Sequence, residues 1–159
     1  MKSLISCRHL APRAALLIAM LACSTTKTVS ASSDSAAAIR AVMSAQVAAW
    51  NRGDIDGFME GYARSDATEF VAGNKVTRGW KTVRDRYRKK YGSREKMGRL
   101  TFSDIKVTPL SADAAIVLGR WQLVRQSDKP HGIFTLLFRR MPAGWRIVHD
   151  HTSAAAPSK

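Results

Sequence analysis

The sequence predicts an α+β fold, a cone-shaped α/β roll in which three N-terminal helices pack on a curved, mostly antiparallel sheet. Apolar residues recur with the helical period of three to four up to about residue 91, and with the strand period of two from residue 99 onward. Short turns join the later strands, which favours antiparallel neighbours. Helices followed by strands, without βαβ alternation, are typical of α+β proteins.

Three helices are predicted in the first part of the chain. The first begins at an Asp34 cap, carries a 3.6-residue apolar stripe and ends before Gly53. Asp54 caps a second helix, whose apolar stripe ends at Tyr62. The third runs roughly over Trp80–Tyr91, with its apolar residues on one face.

The strands form a small hairpin and then a meander. Ala67–Ala72 and Lys75–Thr77 are predicted to pair between the second and third helices. Four long strands follow, at about residues 99–109, 114–125, 133–141 and 145–153. The apolar phase changes between Phe102 and Ile105, which predicts a bulge or bend because side chains on a strand alternate strictly. A bent sheet packed on helices leaves a cavity at the open end of a cone.

Residues 1–31 resemble an export leader. Basic residues precede the apolar run Ala14–Cys23, which is too short to span a bilayer as a helix. Small residues at Val29–Ala31 suit cleavage to a soluble periplasmic or secreted protein. The alternative is a lipobox-like site, "MLAC", in which Cys23 would carry a lipid anchor and the protein would associate with a membrane.

The remaining chain is predicted to be one domain with short flanks. Residues 32–36 form a short linker, 37–153 the folded domain and 154–159 a disordered tail. Both cysteines, Cys7 and Cys23, lie in the leader. The domain therefore contains no disulfide, no thiol ligand and no cysteine nucleophile.

The chain is strongly basic, with a net charge of +14. Four of these charges lie in the leader, which leaves +10, and much of the excess lies in Arg84–Lys96. This segment is interpreted as a solvated helix face, as a docking site for anionic lipid headgroups or envelope polymers, or as a contact for an anionic ligand. Such a patch also suits nucleic acid, but the export leader argues against that partner.

Several stretches carry a resemblance to a known superfamily: "VAAWNRGDIDGFMEGYARSDATEF", "GRWQLVR", "GIFTLLFRR" and "GWRIVHDHTS". Over about residues 37–153 the chain resembles the nuclear transport factor 2-like superfamily, also called SnoaL-like or ketosteroid-isomerase-like. It is most similar to the bacterial domain-of-unknown-function family 4440. The resemblance implies the cone fold and a homodimer. It implies no single function, because isomerases, dehydratases, cyclases, ligand carriers and dimerisation domains share this fold.

The superfamily's isomerases use a carboxylate base, a tyrosine and a protonated aspartate. By resemblance the base position falls at Val71, the tyrosine position near Gln46 and the aspartate position near Leu136, and these residues cannot perform those roles. We therefore expect the isomerase mechanism to be absent. Glu69 is the candidate substitute base, and burial would have to raise its pKa for work near neutral pH.

The last strand ends with two histidines, His149 and His151. Strand alternation predicts that both share a face with Trp145, while Asp150 points the other way. The two histidines have three possible roles. They line the pocket as hydrogen-bond donors or acid–base groups, or they are structural residues of the sheet or of a dimer interface. The third role is to bind zinc together with a third ligand such as Glu69. Because no third ligand is specified, we predict no metal, and we predict no cofactor.

The predicted ligand pocket is mainly aromatic, and Tyr62 and Trp80 are expected to face the cavity. Arg120 lies mid-strand, where an unpaired guanidinium would be costly, so it meets either an anionic ligand or an internal carboxylate. The predicted pocket residues are Tyr62, Trp80, Trp50, Tyr87, Arg120, Trp121 and His151.

Three functions follow from these expectations. The favoured one is an exported homodimer that binds a small ligand in the cone without catalysis. The first alternative is an isomerase, lyase or hydrolase that uses His149 and Glu69 as acid and base. The second is a dimerisation or interaction module of the cell envelope, which docks through the basic third helix.

Overall fold

The computed structural model describes residues 26–156, with the backbone alone for residues 26–32. Along the chain the elements are α1 (Thr26–Asn51), α2 (Ile55–Met59), β1 (Glu69–Ala72), β2 (Lys75–Arg78), α3 (Trp80–Lys90), α4 (Arg94–Met97), β3 (Arg99–Pro109), β4 (Ala114–Val124), β5 (His131–Met141) and β6 (Gly144–Thr152). The predicted α+β class is confirmed. The short helix α4 was not predicted, because a single turn leaves no periodic pattern.

The first helix begins earlier than predicted. It starts at Thr26 rather than at Asp34, so the predicted linker, residues 32–36, is helical. No glycine or proline interrupts the chain between Thr26 and Asn51, and the alanines after Asp34 favour a helix. The predicted leader up to residue 25, including Cys23, lies outside the described residues, as do residues 157–159 of the predicted tail.

None of the helices in residues 26–156 has both the length and the hydropathy needed to cross a bilayer.

A six-stranded sheet has the order β2-β1-β6-β5-β4-β3. All neighbours are antiparallel except β1 and β6, which are parallel. The predicted hairpin of β1 and β2 is present, and its turn contains Gly73 at a φ of 59°. The sheet curves around the helices, and α1 packs against β3 and β6.

Two bulges shape the sheet. The predicted one lies in β3, where the register shifts between Ser103 and Lys106 and Asp104 adopts a φ of 52°. The second was not predicted and lies in β6. Ile147 pairs with Phe138 and His149 pairs with Leu137, so the register of β6 advances by one residue at Val148. Side chains beyond Val148 therefore exchange faces relative to simple alternation.

The end of α1 is attached to β3 by the side chain of Asn51. Its Nδ2 donates to the Leu100 carbonyl at 3.0 Å, and its Oδ1 accepts from the Leu100 amide at 2.8 Å. Arg94 of α4 donates to the carbonyls of Trp50 and Asn51 at the end of α1, where carbonyls have no amide of a following helical turn. The Trp50 carbonyl also accepts from the Gly53 amide at 2.9 Å. These contacts fix the helix over the sheet and hold Trp50 at the interior.

We predict that Asn51→Ala lowers the free energy of unfolding by about 2–3 kcal/mol, because it removes two hydrogen bonds and leaves backbone groups of Leu100 without partners. Chemical denaturation measures this. Arg52→Ala is the matched control, since it removes only the exposed ion pair with Asp54 and should cost less than about 1 kcal/mol. A loss at Asn51 no larger than that of the control would contradict the role of Asn51.

Candidate functional site

A cavity of about 190 Å³ lies between the helices and the concave face of the sheet. Its wall is mostly aromatic, and Trp50 packs edge-on against Phe58 at 5.2 Å and against Tyr91 at 4.7 Å between ring centroids. On the sheet side, Phe102 meets Phe134 edge-on at 5.2 Å. An apolar cavity of about 150 Å³ can hold one benzene ring. The space therefore suits a ligand about the size of one substituted ring.

A polar cluster lies at the buried end of this cavity and consists of Tyr62, Tyr87 and Asp150, here called the Asp150 cluster. The Tyr62 hydroxyl donates to Asp150 Oδ2 at 2.6 Å, and the Tyr87 hydroxyl lies 3.4 Å from that of Tyr62. Asp150 is only 5% exposed. Its second oxygen, Oδ1, is buried and has no hydrogen-bond partner within the described part of the chain.

Burial controls the proton affinity of this cluster. Desolvation raises the pKa of Asp150 to about 7, although the hydrogen bond from Tyr62 and the charge of His149 act in the opposite direction. Burial and the nearby Asp150 charge raise the pKa of Tyr62 well above its usual value. Near neutral pH, Tyr62 is therefore a proton donor in a hydrogen bond, while Asp150 exchanges between carboxyl and carboxylate.

The bulge at Val148 is what brings Asp150 inside. Trp145 and Ile147 are buried as predicted, but the next buried position of β6 is Asp150. The prediction that Asp150 points away from the face of Trp145 is therefore wrong, as is the prediction that the two histidines share that face. His151 is exposed, and neither His149 nor His151 lines the cavity.

Glu69 and His149 do meet, but outside the cavity. They are paired in register between β1 and β6, and His149 Nδ1 lies 3.0 Å from Glu69 Oε2. Glu69 Oε1 also accepts from Arg78 at 2.9 Å. The hydrogen bonds from His149 and Arg78 lower the pKa of Glu69, so it is not the burial-activated base that the sequence suggested.

Two further predicted pocket residues lie elsewhere. Trp80 is buried against α2, where its Nε1 donates to the Met59 carbonyl at 3.0 Å, and it does not line the cavity. It shares a helical stripe with Tyr87 but lies two turns earlier, about 10 Å along the axis. Arg120 is exposed, and its Nε lies 3.1 Å from Asp104, which takes the place of the expected internal carboxylate.

Four predicted pocket residues do line the cavity: Tyr62, Trp50, Tyr87 and Trp121. The lining residues that sequence reasoning missed include Asp150, Arg86 and Lys90. The sequence could have indicated Arg86 and Lys90, because each directly precedes a tyrosine of the α3 apolar stripe and therefore lies close to the face that lines the cavity. No signal marked Asp150, since the bulge that turns it inward leaves no trace in the apolar pattern.

Within residues 26–156 no group of three or more His, Cys, Asp or Glu side chains gathers in a way that could hold a metal ion. The outer face of the sheet exposes apolar side chains, including Ile116, Leu118 and Ile133. A homodimer formed through this face stays a prediction, as does export of the protein.

We predict that Asp150→Asn stabilises the fold increasingly as pH rises. Above the usual aspartate pKa of 3.8 the unfolded chain releases this proton, whereas the folded protein keeps it up to about pH 7. The folded state thus loses stability over this window, and at 1.36 kcal/mol per pH unit the total approaches about 4 kcal/mol. Asn cannot ionise and still accepts from Tyr62, so it avoids this loss.

Urea denaturation at pH values from about 4 to 8 measures the difference between the variant and the wild type. Asp85→Asn, an exposed carboxylate on α3, is the control and should show no such growth. A difference for Asp150→Asn that does not change with pH would contradict the effect of burial on this carboxyl.

Comparison with known proteins places this chain in a family. The family model of the SnoaL-like domain matches residues 39–157. The chain is similar to an NTF-2 like protein of unknown function from Shewanella oneidensis, with 38% identity, a TM-score of 0.72 and coverage of 74% of this chain and 98% of that chain. No curated protein matches the chain.

Two further solved structures share the fold. One is a domain of unknown function with a cystatin-like fold from Nostoc punctiforme, with 18% identity, a TM-score of 0.66 and coverage of 78% of this chain and 79% of that chain. The other is a ketosteroid isomerase-like protein from Erwinia carotovora, with 22% identity, a TM-score of 0.61 and coverage of 76% and 96%.

The family match spans most of the described chain, and the relative from Shewanella aligns over nearly its whole length. The predicted superfamily is therefore confirmed, while the finer assignment to family 4440 stays a prediction. The chain belongs to the SnoaL-like domain family of the nuclear transport factor 2-like superfamily.

Proposed function

We propose that this protein binds a small, largely apolar ligand in the aromatic cavity, with a polar group of the ligand on Asp150. The observation that carries this proposal is Asp150 Oδ1, a buried oxygen without a partner in the described chain. A buried polar atom left unpaired costs about 1–3 kcal/mol. A ligand that hydrogen-bonds Oδ1 removes this cost, so the unpartnered oxygen favours a ligand with one polar end.

The polar group of the ligand is a hydroxyl, an amine or a carbonyl. Because the pKa of Asp150 is about 7, its carboxylate accepts a hydrogen bond from a ligand O–H or N–H, and its protonated form donates to a ligand carbonyl. The Tyr62 hydroxyl donates to Oδ2 of Asp150, so Oδ1 is the oxygen that remains for the ligand. The predicted export and homodimer are compatible with this function and are not required by it.

A second candidate function is proton-transfer catalysis by Asp150, which replaces the predicted pair of His149 and Glu69. A general base works best when its pKa is close to the operating pH, and the pKa of Asp150 is about 7. In an isomerase, Asp150 would take a proton from a carbon next to a carbonyl and return it to another carbon. In a lyase, a leaving group would depart as the proton is taken.

The binding function is tested by a fragment screen that follows tryptophan fluorescence, because Trp50 and Trp121 line the cavity. We expect one-ring compounds with a hydroxyl or carbonyl to bind. Ala72→Phe, which places a ring into the cavity from β1, should weaken them at least tenfold. Binding that is unchanged in Ala72→Phe would contradict the proposed site.

The same experiment separates binding from catalysis. Bound fragments with acidic C–H groups are incubated in D₂O and followed by NMR. Exchange in the wild type that is lost in Asp150→Asn would support proton transfer, because this variant keeps the acceptor for Tyr62. Hydrogen–deuterium exchange at equal rates in the wild type and in Asp150→Asn would show that Asp150 is not the base.

A further inference from the structure

Two cations lie at the mouth of the cavity: Arg86 and Lys90, here called the mouth cations. Both line the cavity, and they lie four residues apart on α3, which places them on the same side of the helix. Lys90 is exposed and Arg86 is partly exposed, whereas Asp150 and Gln46, which also line the cavity, are buried. The cavity therefore has a cationic opening and a buried acidic end.

The mouth cations have no anionic partner in the described chain. The other two arginines of α3 are paired, Arg84 with Asp85 and Arg88 with Asp56. Arg86 instead reaches Thr77 Oγ1 at 3.4 Å and lies over the Phe70 ring at 5.1 Å. Lys90 lies 5.2 Å from the centre of the Tyr91 ring.

These contacts hold the mouth cations beside the aromatic wall. The contact with Phe70 and the hydrogen bond to Thr77 restrict the Arg86 guanidinium, which has five N–H donors in all. Two like charges at i and i+4 destabilise a helix by a few tenths of a kcal/mol, and an anion placed between them reverses this effect. A planar guanidinium with a neighbouring ammonium suits a carboxylate.

We propose that the ligand is an organic carboxylate with an apolar body of about one ring, whose carboxylate lies between Arg86 and Lys90. This inference rests on the proposed function and names the class of ligand. The ring occupies the aromatic middle of the cavity, and a hydroxyl or carbonyl at its far end meets Asp150. The reverse orientation would bring two carboxylates together at the buried end, which is unfavourable.

The surroundings support an anionic small molecule. The excess positive charge of the chain attracts anions towards the mouth and raises their rate of encounter. The apolar wall behind the mouth cations then takes up the body of the molecule, which a free inorganic anion lacks. A cavity of about 190 Å³ limits that body to roughly one ring.

Titration calorimetry at low ionic strength tests the inference with 4-hydroxyphenyl-alkanoates of increasing chain length and their neutral amides. Each acid and its amide share the ring and the hydroxyl, so their difference reports the carboxylate alone. We expect the best acid to bind at least tenfold more tightly than its amide. In Arg86→Gln/Lys90→Gln this difference should fall to less than twofold, mainly because the acid binds more weakly.

Lys81→Gln/Lys89→Gln is the matched control, because it removes the same charge from the same helix at positions that do not line the cavity. It should keep most of the preference for the acid. An equal loss in both double variants would overturn the inference, since general attraction would then explain the preference. Melting temperatures establish that all variants are folded.

The remaining outcomes separate the inference from the function beneath it. If acids and amides bind equally and Ala72→Phe weakens both, the inference that the ligand carries a carboxylate is wrong. The proposal that the cavity binds a ligand would still hold. If neither series binds, and no fragment is sensitive to Ala72→Phe, the cavity function and the inference fail together.

Discussion

The hydrogen bond of 2.6 Å from Tyr62 to Asp150 is the interaction on which the rest of the site depends. Its geometry is set by backbone pairing, because Ile147 exchanges hydrogen bonds with Gly61 and Ala63 on either side of Tyr62. The bulge at Val148 follows at once and turns Asp150 to the same side. A carboxylate thus enters an aromatic interior, where one of its oxygens has a donor and the other has none in the described chain. One extra residue in a strand is thus enough to turn a polar side chain into the interior.

Two neighbouring carboxyl groups show how environment divides their roles. Glu69 lies next to β6 at the position of His149, where hydrogen bonds from His149 and then Arg78 lower its pKa and hold it as a carboxylate. Asp150, the next residue of β6, is buried, and desolvation raises its pKa to about 7. The outer pair therefore fastens β1 to the sheet, and the inner carboxyl keeps a proton that a ligand can use. The exposed mouth cations and the buried Asp150 line the same cavity, which therefore offers a molecule two different polar contacts.

The sequence predicts the fold well, because its signals are periodic and local. The change from helical to strand period gives the order of the elements, and the phase change between Phe102 and Ile105 reveals the bulge in β3. The bulge at Val148 is hidden, since apolar alternation stops there and only polar residues follow. Periodicity also gives the face of a helix but not the depth along its axis, so Tyr87 reaches the cavity while Trp80 on the same stripe does not. Pairing of Arg120 with Asp104 depends on the β3 bulge and on tertiary register, which no local pattern shows.

The binding site depends on Asp150 being a buried carboxyl that keeps its proton close to neutral pH. Its direct test is a ¹³C NMR titration of the side-chain carboxyl groups, with the Asp150 resonance assigned by its absence in Asp150→Asn. We expect this resonance to titrate near pH 7 and a bound ligand to shift its midpoint. A midpoint close to the ordinary aspartate value of 3.8 would show that the carboxyl is hydrated, and the site described above would lose its basis.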